Sequence, residues 1–160
     1  MTAWTEHLAR VGATLDDTAR SIAFAAPADE ARATETATIA VPLLHLGTIR
    51  SQGPDSAAFL HNLVSNDVKH MEADTAAWNS FNSPKGRMIA SFLVWTEEGG
   101  HALALSADIL PAFLKKFSMY VLRSKVKLSD ASADVALIGV AGPDAGAAVQ
   151  AAGAELPAAD

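Results

Sequence analysis

The stretch between Ser83-Pro84-Lys85-Gly86 and Gly99-Gly100 constrains the fold more than any other part of the chain. Proline fixes φ and glycine permits positive φ, so the first tetrad is a turn. The Gly-Gly pair is a two-residue hairpin signal. Between them Met88, Ala90, Phe92 and Val94 alternate with Ile89, Ser91, Leu93 and Trp95, and both sets are substantially apolar. A strand that is apolar on both faces needs a neighbour on each side and cover above and below. Residues 77–82 and 101–106 supply the neighbours, so an antiparallel meander is expected.

Helices flank it. Gly53-Pro54-Asp55 opens one, with proline at the first helical position and a carboxylate at the positive end of the dipole. Phe59, Leu60, Leu63 and Val64 give it a buried face, and Ser65-Asn66-Asp67 end it in a turn because their side chains compete for backbone hydrogen bonds. Ser106 caps a second helix over 107–122, with Leu110, Phe113, Leu114, Phe117, Tyr120 and Val121 on one broad face. Strand pieces over 39–51, broken at Pro42, and a half-exposed strand over 124–129 complete the pattern. The class is α+β: a ferredoxin-like antiparallel sheet with helices on one face and one additional strand.

Outside this core, Trp4, Leu8, Val11 and Leu15 form the stripe of an amphipathic N-terminal helix that Thr2 can cap. Residues 25–38 lack a periodic apolar face and read as a linker. Val135 to Val140 reads as a buried strand, after which Gly142-Pro143-Asp144 repeats the Gly53-Pro54-Asp55 opening, the start of a second similar unit. The domains expected are 1–38 (helix and linker), 39–130 (ferredoxin-like module) and 131–160 (incomplete second module). A lone strand at 135–140 would expose an apolar edge, so self-association is expected.

Composition excludes several classes. The 160 residues contain no cysteine, so this polypeptide supplies no disulfide, thiolate ligand or cysteine nucleophile. No apolar run is long enough for a membrane span, which points to the cytosol. The net charge of -6 disfavours direct nucleic-acid binding, yet Lys85 to Lys127 holds seven basic residues against three acidic ones. That basic sector suits an anionic ligand. The histidines (His7, His45, His61, His70 and His101) show no ligand pair and no clustered carboxylate, so no metal site is expected.

HLGTIRSQGPDSAAFLHNLVSNDV (His45 to Val68), SPKGRMIASFLVW (Ser83 to Trp95), YVLRSKVKLSD (Tyr120 to Asp130) and ALIGVAGPDA (Ala136 to Ala145), in this order and spacing, resemble the folate-binding family of YgfZ-type tRNA-modifying proteins and mitochondrial iron-sulfur assembly factors. More distantly they resemble the aminomethyltransferase of the glycine cleavage system. The resemblance covers about residues 1–155. It implies a tetrahydrofolate-binding module that supports iron-sulfur cluster assembly or repair, with iron-sulfur assembly proteins or iron-sulfur enzymes as partners. It also implies a parent about twice this length with a Lys-Gly-Cys loop, so the chain is expected to be a fragment that by itself holds folate weakly or not at all.

For such a ligand Asn66 and Asp67 are the candidates to orient the pterin, and Lys85, Gly86 and Arg87, with Arg123 from the same basic sector, to receive the anionic tail. For Lys85-Gly86-Arg87 an ordinary exposed hairpin turn is the competing reading, and for Asn66-Asp67 a helix-ending turn. Trp78 and Trp95 could stack on a heterocycle, although strand tryptophans are more often core. In the aminomethyltransferase the strand after the Lys85-Gly86 turn bears paired aspartates, where this chain has Ala90 and Ser91. No catalytic residue is therefore expected. The alternatives are a tetrahydrofolate-dependent one-carbon transferase and a self-associating structural domain.

Overall fold

The computed structural model describes residues 2–156; Met1 and residues 157–160, the end of the expected 131–160 module, lie outside the described residues. In chain order the elements are α1 (Ala3–Arg10), β1 (Thr14–Leu15), β2 (Ile22–Ala23), α2 (Pro27–Thr36), β3 (Ile39–Pro42), β4 (Leu46–Gln52), α3 (Ser56–His61), β5 (Ala76–Asn82), β6 (Met88–Glu97), β7 (Gly100–Ser106), α4 (Leu110–Ser118), β8 (Lys127–Asp130), β9 (Ile138–Ala141) and α5 (Ala145–Ala151). The chain divides into two compact units, Leu46–Val135 and residues 1–45 with 136–160.

In the first unit an antiparallel sheet runs in the order β5-β6-β7-β4-β8. Without β5, the order β6-β7-β4-β8, with α3 after β4 and α4 after β7, is that of the ferredoxin-like split β-α-β motif. Strand β5 adds an edge next to β6. Strand β6 therefore has a neighbour on each side, as its two apolar faces require. One face, with Ile49, Phe81, Ala90, Phe92, Val94, Leu103 and Leu105, packs with Phe59 and Leu60 of α3 and Leu110, Phe113 and Phe117 of α4 in a single core. The other face carries Trp78, Ser80, Ser91, Leu93 and Trp95, because side chains alternate along a strand.

A buried polar cluster fixes the start of α3. Ser56 donates to the Ser51 carbonyl oxygen at 2.8 Å, and its Oγ lies 2.8 Å from Ser51 Oγ and 2.9 Å from His101 Nδ1. With the Ser56 proton committed to Ser51, His101 donates from Nδ1. Burial lowers the His101 pKa from its ordinary 6.5. The unfolded chain then binds more protons than the folded one below about pH 6.5, so stability is full above that value and falls as pH drops through it. Equilibrium unfolding between about pH 7 and 5 should show this slope, and His101→Gln should flatten it. A slope unchanged in the variant would contradict the assignment.

In the second unit, β3 pairs with β9, Ile39 opposite Ala141 and Pro42 opposite Ile138. Residues 39–42 thus belong with 138–141 and not with the sheet to which the sequence reading joined them. Pro42 and the residues after it separate β3 from β4. The lone edge expected at 135–140 is paired on one side, and Ile138 is half exposed, not buried. Where a linker was expected over 25–38, α2 forms with Pro27 in its first turn, yet none of its residues is buried. Helix α4 is shorter than the expected 107–122, with Ile109 at its N-cap.

The repeated Gly-Pro-Asp has a structural counterpart. Gly53 (φ 127°) and Gly142 (φ 124°) turn β4 into α3 and β9 into α5 in the same way. In each a short bond closes the turn, Ser56 N to Gly53 O at 3.0 Å and Ala145 N to Gly142 O at 3.2 Å. A Cβ at either glycine would meet the backbone of a neighbouring segment, Lys125 or Thr38.

Candidate functional site

After α3 the chain lies along the outer edge of β5. Val64 bridges Phe81, Ser65 N donates to Ser80 O at 3.0 Å, and Asn66 N donates to Asn79 Oδ1 at 2.8 Å. The Asn66 side-chain amide donates to Trp78 O at 2.6 Å. Asn66 therefore caps an edge that would otherwise show unpaired backbone groups. Trp78, on the face turned from the helices, is 69% exposed, so it is not the core residue that strand tryptophans usually are.

Asp67 stands between two imidazoles. His70 Nδ1 is 2.7 Å from Oδ2 and His70 N donates to Oδ1 at 3.1 Å. His61 Nδ1 is 3.1 Å from Oδ1, close enough for an ion pair but not aligned for a hydrogen bond. The expectation that no carboxylate clusters with the histidines is thus corrected: the turn that ends α3 folds His61 and His70 back onto Asp67. Among the described residues no group of His, Cys, Asp or Glu is arranged to hold a metal ion.

The His70 ring bond first, and its backbone N–H second, lower the Asp67 pKa from 3.8 to about 2. The carboxylate stays ionised, and what it contributes to holding the turn is present above its ordinary pKa of 3.8 and lost as pH falls through about 2. A carboxyl NMR titration should place its midpoint near 2 in the native chain, and a midpoint at 3.8 would show that the histidines do not engage it.

Lys85, Gly86 and Arg87 are exposed in the β5–β6 turn. Gly86 N donates to Ser83 O at 2.8 Å and Arg87 N to Ser83 Oγ at 3.1 Å, which fixes the backbone. Gly86 has φ 76° and open space where a Cβ would stand, and neither cation has an ion-pair partner among the described residues. Asn66 meets β5 at Trp78 and Asn79, three to four residues before Asn82, or roughly 10–13 Å along the strand from where the turn begins.

Arg123 lies elsewhere. It lines an open cleft of about 730 Å³ with Asp55, Tyr120, Leu122 and Ser124. Lys125 N donates to Asp55 Oδ2 at 2.7 Å, just beyond β4, whose last residue Gln52 pairs with Gly100. That is the end of the sheet where the β6–β7 hairpin turns, while Lys85 sits at the opposite end of β6. The six expected site residues therefore separate into a set along β5 (Asn66, Asp67, Lys85, Gly86, Arg87) and Arg123, whose cleft adjoins β5 through Tyr120, its ring 5.4 Å from that of Phe81.

The β5 set offers an ionised carboxylate, an exposed indole and two free cations in sequence along one edge. Such a line suits a flat heterocycle with hydrogen-bond donors and an anionic tail. At the positions of the paired aspartates, Ala90 is buried at 3% exposure in the helix-side core and Ser91 is exposed on the other face. Neither handles a proton near neutral pH.

The family described as the GCVT N-terminal domain matches residues 4–159. The chain is 36% identical over 106 residues to the mitochondrial iron-sulfur cluster assembly factor IBA57 homolog of Mycosarcoma maydis, covering 56% of this chain and 26% of that protein. It is 30% identical over 112 residues to the tRNA-modifying protein YgfZ of Vibrio vulnificus, covering 69% and 34%. The glycine cleavage system aminomethyltransferase T of Bartonella henselae has a similar fold, with a TM-score of 0.72 at 16% identity over 94% of this chain and 42% of that one. The match to the two curated relatives spans about a quarter to a third of their length. The ferredoxin-like sheet, the repeated Gly-Pro-Asp turns and the match over nearly the whole chain agree: the chain belongs to the GCVT N-terminal domain family.

Proposed function

We propose that the chain is a non-catalytic, tetrahydrofolate-binding module of a protein that supports iron-sulfur cluster assembly or repair and, through it, iron-sulfur-dependent tRNA modification. One observation favours this reading over aminomethyl transfer. The strand positions where the resemblance places the transferase's paired aspartates hold a buried alanine, Ala90, and a serine, Ser91. General acid-base help of about 10²- to 10⁴-fold is therefore missing from that strand. The similarity to a protein named as an iron-sulfur cluster assembly factor supports the same side.

In this reading Asn66 and Asp67 hold the pterin, Trp78 offers it a stacking face, and Lys85, Gly86 and Arg87 receive the carboxylate tail. Arg123 contributes long-range attraction only. The partners are iron-sulfur assembly proteins or iron-sulfur enzymes. Incubation with methylene-tetrahydrofolate, ammonia and a dithiol acceptor separates the two functions: formation of the S-aminomethyl acceptor and free tetrahydrofolate is expected to stay at the rate of the reagents alone, with or without the chain. Transfer accelerated by two or more orders of magnitude would assign a one-carbon transferase instead.

A further inference from the structure

The Asp67 carboxylate is both fixed and accessible. Its side chain is 52% exposed, yet one residue engages each of its oxygens: the His70 ring, with Nδ1 2.7 Å from Oδ2, and the His70 backbone N–H, 3.1 Å from Oδ1. A carboxylate has about four acceptor positions, so one stays open on each oxygen. His61 Nδ1 lies 3.1 Å from Oδ1 but is not aligned to fill it, and it has no hydrogen-bond partner among the described residues. Two open acceptors side by side are the complement of a group with two parallel N–H donors, the arrangement of an amidine, a guanidine or the amino-amide edge of a heterocycle.

Other bonds than those of His70 hold the chain against β5. Ser65 N donates to Ser80 O and Ser80 N to Ser65 Oγ, each at 3.0 Å, and the Asn66 backbone and side-chain amides donate to Asn79 Oδ1 and Trp78 O. The His70 side chain is 71% exposed, and its ring meets that of His61 only edge-on, with centroids 6.3 Å apart. Its bond to Asp67 is therefore the main work of the imidazole. With that carboxylate ionised, the proton of the bond belongs to His70 Nδ1. A carboxylate free to turn about its torsions must be ordered by each ligand it binds, and one already held spares that cost.

On the reading that β5 holds folate, on which this rests, we infer that His70 is a positioning residue: it orients the Asp67 carboxylate so that the two open acceptors meet the paired N–H donors of the pterin. Selectivity follows from the same geometry. A 2,4-dioxo analogue of the ring has a carbonyl oxygen where the pterin has its 2-amino group, so an acceptor would face an acceptor.

Three proteins test it: the wild-type chain, His70→Asn, whose amide nitrogen stands near the place of the histidine Nδ1 and keeps a donor, and His70→Leu, which keeps bulk and loses the donor. Without ligand, carboxyl NMR should place the Asp67 midpoint near 2 in the wild type, keep it below 3.8 in His70→Asn and move it toward 3.8 in His70→Leu. Calorimetry with tetrahydrofolate at low salt should show affinity lowered about fivefold or more in His70→Leu and by no more than about twofold in His70→Asn. The wild type should prefer a 2-amino-4-oxo pterin to its 2,4-dioxo analogue by about tenfold, and His70→Leu should lose most of that preference. Denaturation curves of the three should coincide, because the side chain is exposed. Equal affinity in wild type and His70→Leu, or an Asp67 midpoint that does not move, would overturn the inference and leave the folate site in place. Equal losses in both variants would overturn it as well, showing that His70 only holds the turn. Absence of saturable binding by the wild-type chain would overturn the folate reading itself, and the positioning role with it, even where the midpoint moves.

Discussion

Phe117→Ala is expected to lower the free energy of unfolding by about 3–5 kcal/mol. Phe117 is fully buried, and its ring lies 4.9 Å from that of Phe113, 5.2 Å from Phe59 and 5.3 Å from Phe81. It is thus the point where α4, α3 and β5 meet. Its removal subtracts transfer free energy and leaves a cavity that three rings cannot collapse to fill. Domains of this size have about 5–15 kcal/mol in all, so the variant should be largely unfolded under mild denaturant. Phe24→Ala, on a half-exposed residue, is the comparison and should change stability by about 0.5 kcal/mol or less. Chemical denaturation with loss below about 1 kcal/mol for Phe117→Ala would mean that the two helices do not share one core with the sheet.

Reversing both cations of the β5–β6 turn, Lys85→Glu with Arg87→Glu, is expected to weaken tetrahydrofolate binding at least tenfold, or about 1.4 kcal/mol. The turn changes from two free positive charges to two negative ones facing a carboxylate tail. The loss should be larger at low salt and shrink as the screening length falls to about 8 Å near physiological ionic strength. Arg123→Glu, in the cleft beside Asp55, should change affinity by no more than about twofold, since exposed charges that do not touch the ligand are screened by salt. Calorimetry of the three proteins checks this. Unchanged affinity for the double reversal at low salt would remove Lys85 and Arg87 from the site.

The sheet was legible because β6 is apolar on both faces and is bracketed by unmistakable turns, so only a central position satisfies it. Helix α3 was legible from Gly53-Pro54-Asp55, and the repeat at Gly142 proved to be one of backbone conformation as well as of letters. The pairing of β3 with β9 was not legible, because it joins residues about a hundred positions apart and nothing local in Ile39–Pro42 names its partner. Helix α2 was not legible because helical periodicity is read from a buried face, and it has none.

At the site, single residues could be read but their grouping could not. Asp67 stands out in the sequence but its link to His61 and His70 does not, since His61 sits on α3 and only the following turn brings it round. The spacing of His70 three residues after Asp67, at a helix-ending turn, was the available signal. Lys85 and Arg123 carry the same charge in one basic sector of the sequence, and the antiparallel path of the chain sets them at opposite ends of β6.

The most direct measurement is a calorimetric titration of the chain with tetrahydrofolate at low and physiological salt, alongside the Lys85→Glu, Arg87→Glu protein. Saturable binding is expected, with a dissociation constant on the order of 0.1–1 mM, weakened by salt and lost in the reversed protein. Absence of saturable heat at low salt, or binding equal in both proteins, would contradict the assignment of a folate site along β5.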